Sequence, residues 1–303
     1  MMNVLLKCAI QWGLSLAPGG HRINDRLQRI RKMLPDWHFE KKIDDAQIIL
    51  DLVKAHSLTD TGSAPLVGME IGAGWDVQLA LALRAFGLGK IHCIDISRHL
   101  DRLRIGEAVR RVRAKGDAAG SAVPEWDCAS DSSVEGDLES RYGIHYLAPC
   151  DARKTTFSTG SLDLFLSYNV FEHIPRDDLF AILQESHRLL KPGAVAVHFI
   201  DLQDHWAYAK PGVPVHGFLR HGRFAWNLLN PPIHFQNRLR SKQFKELARE
   251  AGFELVEALE TEASPEQLAM LRTPGFLHED LRSLGTPEEL GITFLRMVLR
   301  KPA

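Results

Sequence analysis

Val67-Gly68-Met69-Glu70-Ile71-Gly72-Ala73-Gly74-Trp75-Asp76 decides how the rest of this chain is read. An apolar run closes on an acid and opens at once into a glycine turn, the pattern of a buried strand delivering a ligand to the start of a helix. Glycine at 72 and 74 permits backbone angles closed to other residues and leaves no side chain between the main chain and a bound molecule. The next apolar segment, Lys90-Ile91-His92-Cys93-Ile94-Asp95-Ile96, also closes on an acid. It falls about 20 residues beyond the turn, the distance at which a second strand offers a carboxylate to a ribose.

Outward from this centre the chain alternates. Apolar runs predict strands at 66–71, 90–95, 144–148, 162–168, 194–200, 253–258 and 292–299, and helical spacing predicts helices at 76–87, 98–115, 176–190 and 242–251. That alternation implies an α/β fold, a mostly parallel sheet with helices on both faces. Two stretches interrupt it. Residues 116–140, rich in Asp, Ser, Gly and Ala, read as a loop, whereas 201–237 is crowded with aromatic and imidazole groups and reads as a lid. Apolar residues at helical intervals between 21 and 57, broken near Pro35, read as a helical cap over 1–60. A ligand-binding domain over 61–303 follows, with the lid inserted at about 201–240.

Composition narrows the function. The 303 residues are 45% hydrophobic, enough for one large core plus an appendage. With 37 basic against 38 acidic side chains the net charge is -1, which disfavours nucleic acid as a partner. No apolar run approaches the roughly 20 residues that cross a bilayer. Cys8, Cys93, Cys128 and Cys150 lie scattered without a Cys-x-x-Cys pair, so free thiols in a reducing, cytoplasmic compartment are expected. Residues 1–18 are apolar but contain Gln11 and a single cation, Lys7. They read as an amphipathic helix that covers the core or touches a partner, a homodimer included, rather than as a signal peptide.

The turn admits two ligands, and Glu70 separates them. A dinucleotide brings a pyrophosphate that a strand-end carboxylate repels, and its fingerprint wants glycine where Val77 stands. S-adenosylmethionine brings a sulfonium and an ammonium, which the same acid complements. Further landmarks follow in order: Ala148-Pro149-Cys150-Asp151-Ala152, with Asp151 placed to accept from an adenine amino group; Asn169-Val170-Phe171-Glu172-His173-Ile174, at the end of an apolar strand; and Leu189-Leu190-Lys191-Pro192-Gly193, which stops a helix.

Together these landmarks resemble those of class I S-adenosylmethionine-dependent methyltransferases, over about residues 66–200 plus the closing strands. The resemblance implies a Rossmann-like seven-stranded sheet whose last strand, 292–299, runs antiparallel. It implies that Glu70, Gly72 and Gly74 hold the methionine portion, Asp95 the ribose hydroxyls and Asp151 the adenine edge, with Asp76, Ile96, Ala152, Asn169 and Val170 completing the cofactor-binding set. The turn departs from the commonest family form, having Asp76 where a third glycine often sits. Gly20-His21-Arg22-Ile23-Asn24, residues 200–206 and Asn237-Arg238-Leu239-Arg240 look like segments of a bacterial subgroup associated with saccharides or secondary metabolites.

Methyl transfer to such a small molecule, at oxygen, needs alignment, exclusion of water and removal of one proton. His173 and His205 are the candidate catalytic bases, although His173 also reads as a residue that orders its turn. Asp201, Asp204, Trp206, Tyr208 and Arg238 are the candidate substrate-binding residues, with aromatic faces for a ring and carboxylates for hydroxyls. Arg238 and Arg240 read equally as ion-pairing residues. Asp201, Asp204 and His205 could also hold a metal, but none is assigned. Asn230-Pro231-Pro232-Ile233 imitates a motif of nucleic-acid amino methyltransferases, yet it stands outside the fourth strand, where that motif belongs. Rival readings are a nicotinamide-dependent oxidoreductase or epimerase, and a cofactor-binding partner subunit without turnover.

Overall fold

A computed structural model describes residues 4–20, 23–24, 36–59, 64–118 and 122–303. Parts of the expected amino-terminal cap and of the 57–65 turn lie outside the described residues. Seven strands form one sheet: β1 (Val67–Ile71), β2 (Lys90–Ile94), β3 (Ile144–Leu147), β4 (Leu162–Tyr168), β5 (Leu190–Asp201), β6 (Glu254–Thr261) and β7 (Phe294–Arg300). Their order is β3-β2-β1-β4-β5-β7-β6. The first five strands pair in parallel, while β7 runs antiparallel to both β5 and β6, as the resemblance implies. Strand order reverses between β1 and β4, and in such sheets the crevice at the carboxyl ends of those two strands is the ligand site.

Helices cover both faces, which is why β4 is buried at every residue but the last. Beyond α1 (Val4–Leu16), one face packs against α2 (Asp36–His56), α3 (Gln78–Ala85) and α4 (Arg102–Ala118), where Ile43, Ile49, Leu79, Leu83 and Val109 meet the sheet. α5 (Val134–Tyr142) joins this same face, with Leu138 and Tyr142 packed beside β3, and on the other face α6 (Arg176–Leu189) brings Leu179 and Leu183 against Phe165 and Ala196.

A third apolar cluster lies apart from the sheet. It joins Cys8 of α1 (Val4–Leu16), Trp206 of α7 (His205–Ala209), Trp226 of α8 (Arg223–Leu229), and Leu271, Leu281 and Leu290 of the carboxyl-terminal helices. The Trp12 indole donates to the Leu228 carbonyl at 2.8 Å, so α1 sits on the lid. Within the expected 1–60 cap, then, the two long helices pack in different places: α1 on the lid and α2 on the sheet.

Other differences from the expectations have local causes. The loop expected at 116–140 is partly helical, since α4 runs to Ala118 and α5 begins at Val134. Ser133 caps α5 by accepting from the Gly136 amide, acids stand in its first turn, and Gly143 (φ 66°) ends it. Strand β5 starts four residues early, because Leu190 already pairs with Leu162 before a register shift.

Candidate active site

A cleft of about 770 Å³ opens at the reversal of strand order. Gly72, Gly74 and Asp76 form one wall, Phe39 and Lys42 of α2 close one end, and His173, His205 and Phe235 form the facing wall. The glycine turn carries left-handed backbone at both glycines, φ 68° at Gly72 and 72° at Gly74. A β-carbon on Gly72 would lie 2.6 Å from Val170 Cγ2, whereas one on Gly74 would meet nothing within 4 Å. Gly72 is therefore needed for close packing and Gly74 for open space beside the cleft.

The missing third glycine leaves a mark. Val77 is left-handed too (φ 46°), an unfavourable state for a β-branched residue, and it starts α3 with its side chain wholly buried. Asp76 Oδ1 accepts from the Gln78 amide at 3.1 Å, so the acid serves as the cap that Val77 cannot supply.

Three carboxyl groups gather around this turn. Glu70 lies beneath it, 1% exposed, with Cys93 Sγ 3.9 Å from Oε2. Burial pushes its pKa up to about 7; the Lys42 charge opposes the rise, and Asp76 and Asp95 add to it. Asp95 is raised by burial as well, against the pull of His99 and of amides that include Ser97 and Gly74. Acids held this way gain most when a cation arrives. Ile96, two-thirds exposed, reaches the cleft wall.

Other cofactor candidates sit nearby. Asn169 takes the left-handed conformation (φ 54°), which its short amide side chain tolerates, and Val170 rests on Gly72. Asp151 is gripped by Arg153 (Nη2 to Oδ2 2.7 Å), which also bonds Asp178, and that guanidinium holds its pKa below the ordinary range. Asp151 and Ala152 lie outside the lining of the cleft.

The facing wall is built by the turn after β4 and by the lid. His173 Nδ1 donates to the Phe235 carbonyl at 2.8 Å, which leaves Nε2 with its lone pair. Burial, and next the neighbouring His205, push the His173 pKa down. The two imidazole rings are 4.8 Å apart. Asp201 ends β5, accepts from the Tyr208 hydroxyl at 2.7 Å and lies 3.4 Å from His205 Nε2. Burial would raise its pKa, but the neighbouring His205 and the bonds from the Gln203 amide and the Tyr208 hydroxyl lower it overall. Glu172 is 1% exposed, and neither carboxylate oxygen has a hydrogen-bond partner among the described residues. Burial drives its pKa well above the carboxylate range.

Three expected substrate residues lie elsewhere. Asp204 is buried and caps α7 by accepting from the Trp206 amide at 2.9 Å. Trp206 belongs to the third apolar cluster, beneath Lys7. Arg238 donates to the carbonyls of Phe218 and His221 and covers Trp226. Arg240 is buried and donates to the Leu202 and Ile292 carbonyls, its pKa lowered to about 9 by that burial. These four side chains hold the lid together instead of facing the cleft. Asn230 and Gln236 exchange two hydrogen bonds around the prolines, and Pro232 and Ile233 line the cleft.

Sequence reading missed Phe39, Lys42 and Asn237. The Asn237 side chain donates to the Phe171 and Ile174 carbonyls at 2.7 and 2.8 Å, and its amide donates to the Glu172 carbonyl at 2.7 Å, tying the lid's end to the histidine turn. An asparagine beside a lid is a readable hint of such a clasp, whereas nothing local marks Phe39 or Lys42.

A family described as methyltransferase domain matches residues 47–258, more than half of the chain. The protein belongs to this methyltransferase family. No curated protein matches it. Among solved structures, the methyltransferase is similar to a SAM-dependent methyltransferase from Methanosarcina mazei, at 16% identity over 82% of this chain and 97% of that one, with a TM-score of 0.46. It is similar to the 4+2-cyclase SpnF at 15% identity over 84% and 80%, TM-score 0.46. It is also similar to phosphoethanolamine N-methyltransferase 2 of Haemonchus contortus, a structure with S-adenosylhomocysteine, at 14% identity over 85% and 53%, TM-score 0.44. The methyltransferase uses S-adenosylmethionine, and the open space at Gly74, the buried acids and the size of the cleft fit that donor. The nicotinamide reading falls with the family match. No helix among the described residues is long and apolar enough to cross a membrane, and all four cysteines are free.

Proposed function

We propose that this methyltransferase acts on a hydroxyl oxygen of a small, ring-bearing acceptor such as a saccharide or a secondary metabolite. The observation that carries the reading is the meeting of two unlike groups in one cleft: a glycine turn with acids in and beneath it, suited to a cation, and a pair of imidazoles, of which His173 keeps the lone pair of Nε2.

S-adenosylmethionine, when bound, supplies a methyl group made electrophilic by its sulfonium. Glu70, Gly72 and Gly74 would hold its amino-acid portion and Asp95 and Ile96 its ribose, with Asp76 capping the helix and Asn169 and Val170 shaping the turn opposite; Asp151, beside Ala152, would reach its adenine edge once released by Arg153. His173 and His205 face the acceptor and serve to take its proton, which methylation at oxygen requires. Phe235, Pro232 and Ile233 offer an apolar surface to a ring, while Asp201 and Tyr208 steady His205 from behind. The lid keeps water from the reacting atoms.

The test is to incubate purified protein and S-adenosylmethionine with fractionated small-molecule extracts and to follow S-adenosylhomocysteine release. Products whose new methyl is ether-linked are expected. Turnover confined to amines, proteins or nucleic acids would overturn the reading.

A further inference from the structure

We propose that Glu172, His173 and His205 bind one divalent cation of the zinc or manganese type on the acceptor wall of the cleft. One ligand atom from each side chain lies within 4.8 Å of the others. The strongest argument is Glu172. Its carboxyl group is almost wholly buried, and both oxygens lack a partner among the described residues. An unpaired buried carboxylate is costly, and protonation does not cure the defect, since the acid's O–H would then need an acceptor. A cation answers both demands.

The two imidazoles are prepared in the same sense. His205 Nε2 is buried with no hydrogen bond among the described residues, 3.4 Å from Asp201 Oδ2. His173 is fixed by donating its other nitrogen to the Phe235 carbonyl at 2.8 Å, the outer support that orients a metal-binding histidine. Two nitrogens and one carboxylate select a borderline transition ion over magnesium or calcium, which prefer oxygen. With bonds of about 2.1 Å, tetrahedral ligands on such an ion stand about 3.4 Å apart, so an approach of about 1 Å shared among the three side chains closes the site.

Both histidines line the cleft, and the ion's remaining positions would open toward the acceptor. This rests on the acceptor placement proposed above and deepens it, because two oxygens on adjacent carbons can chelate one ion. The acceptor class becomes a vicinal diol, or a hydroxyl beside a carbonyl. In the cation-loaded enzyme the two histidines act as ligands and no longer as the base; the ion lowers the pKa of the bound hydroxyl, whose proton passes to water.

Untagged full-length protein, freed of metal by a chelator and dialysed, is titrated with cobalt chloride while the visible absorption is followed, and with zinc chloride by calorimetry. One equivalent per chain is expected, with binding weakened at least about tenfold in Glu172→Gln and His205→Ala but unchanged in His221→Ala. Absence of stoichiometric binding by the wild type, or wild-type binding by folded His205→Ala, overturns the inference. S-adenosylhomocysteine binding, measured on the same samples, separates the two proposals: its loss in the metal-free wild type speaks against the donor site, not against the cation.

Discussion

The two walls of the cleft are made in opposite ways. The glycine turn comes from one continuous stretch, Val67 to Gln78, in which each residue's part is fixed by its neighbours: a strand end, two left-handed glycines, a capping aspartate. The histidine wall is assembled from the turn after β4 and the lid, with contacts that join residues more than sixty positions apart, such as His173 to Phe235. A wall written in contiguous sequence suits a ligand common to a whole family, and a wall gathered from insertions suits one that differs among its members.

The contrast can be broken by changing one wall and reading the other. His173→Ala should cut kcat by about a hundredfold or more while leaving the donor's Kd within about twofold, as measured by single-turnover kinetics and calorimetry. Coupled losses of rate and donor affinity would mean that the walls are one unit. Glu70→Gln is the complementary change, expected to weaken donor binding by about tenfold, because the buried acid no longer offers charge to the cation. Asn237→Ala removes the clasp on the histidine turn and should cost about 1–3 kcal/mol of stability in a denaturant titration, with the acceptor KM rising and donor affinity kept.

The pH dependence sharpens the same contrast. Because burial lifts Glu70 to about 7 in the fold, its neutral form is the one favoured there; the stability it lends is full below its unfolded value and falls away as pH rises through about 7. Donor binding has the opposite sense, since the arriving cation favours the carboxylate. Affinity should therefore rise by a few-fold between about pH 6 and about pH 8, with a proton released on binding, detectable by calorimetry in buffers of different ionisation enthalpy. Glu70→Gln should flatten that slope. The smallest effect belongs to Val77→Gly: relief of left-handed strain, about 1 kcal/mol, is offset by loss of a buried side chain, so Tm should move by only a few degrees.

What was legible in the sequence follows the same division. The succession of strands and the glycine turn could be read because period and turn chemistry act over a few residues, whereas Pro192-Gly193, read as the stop between helix and strand, lies within β5, the helix having ended at Leu189. Helix α5 is hidden in the sequence by the Asp, Ser, Gly and Ala content of 116–140, although Ser133 and Gly143 mark its two ends. Asp204, Trp206 and Arg238 are the right residue types in the right segment, but aromatic and charged composition does not say which face turns inward. The third apolar cluster claims Trp206 and Asp204 caps its helix, so neither lines the cleft. Lys42 and Phe39 reach the cleft from a helix that precedes the glycine turn by some thirty residues, and no local pattern announces such an approach.

The seat of α1 on the lid, fixed by the Trp12 indole, gives the chain's opening helix a remote influence. Substitutions on its inward side would retune which molecules the enzyme accepts without disturbing how it grips its methyl source. Selectivity could thus drift through a segment that never meets the chemistry.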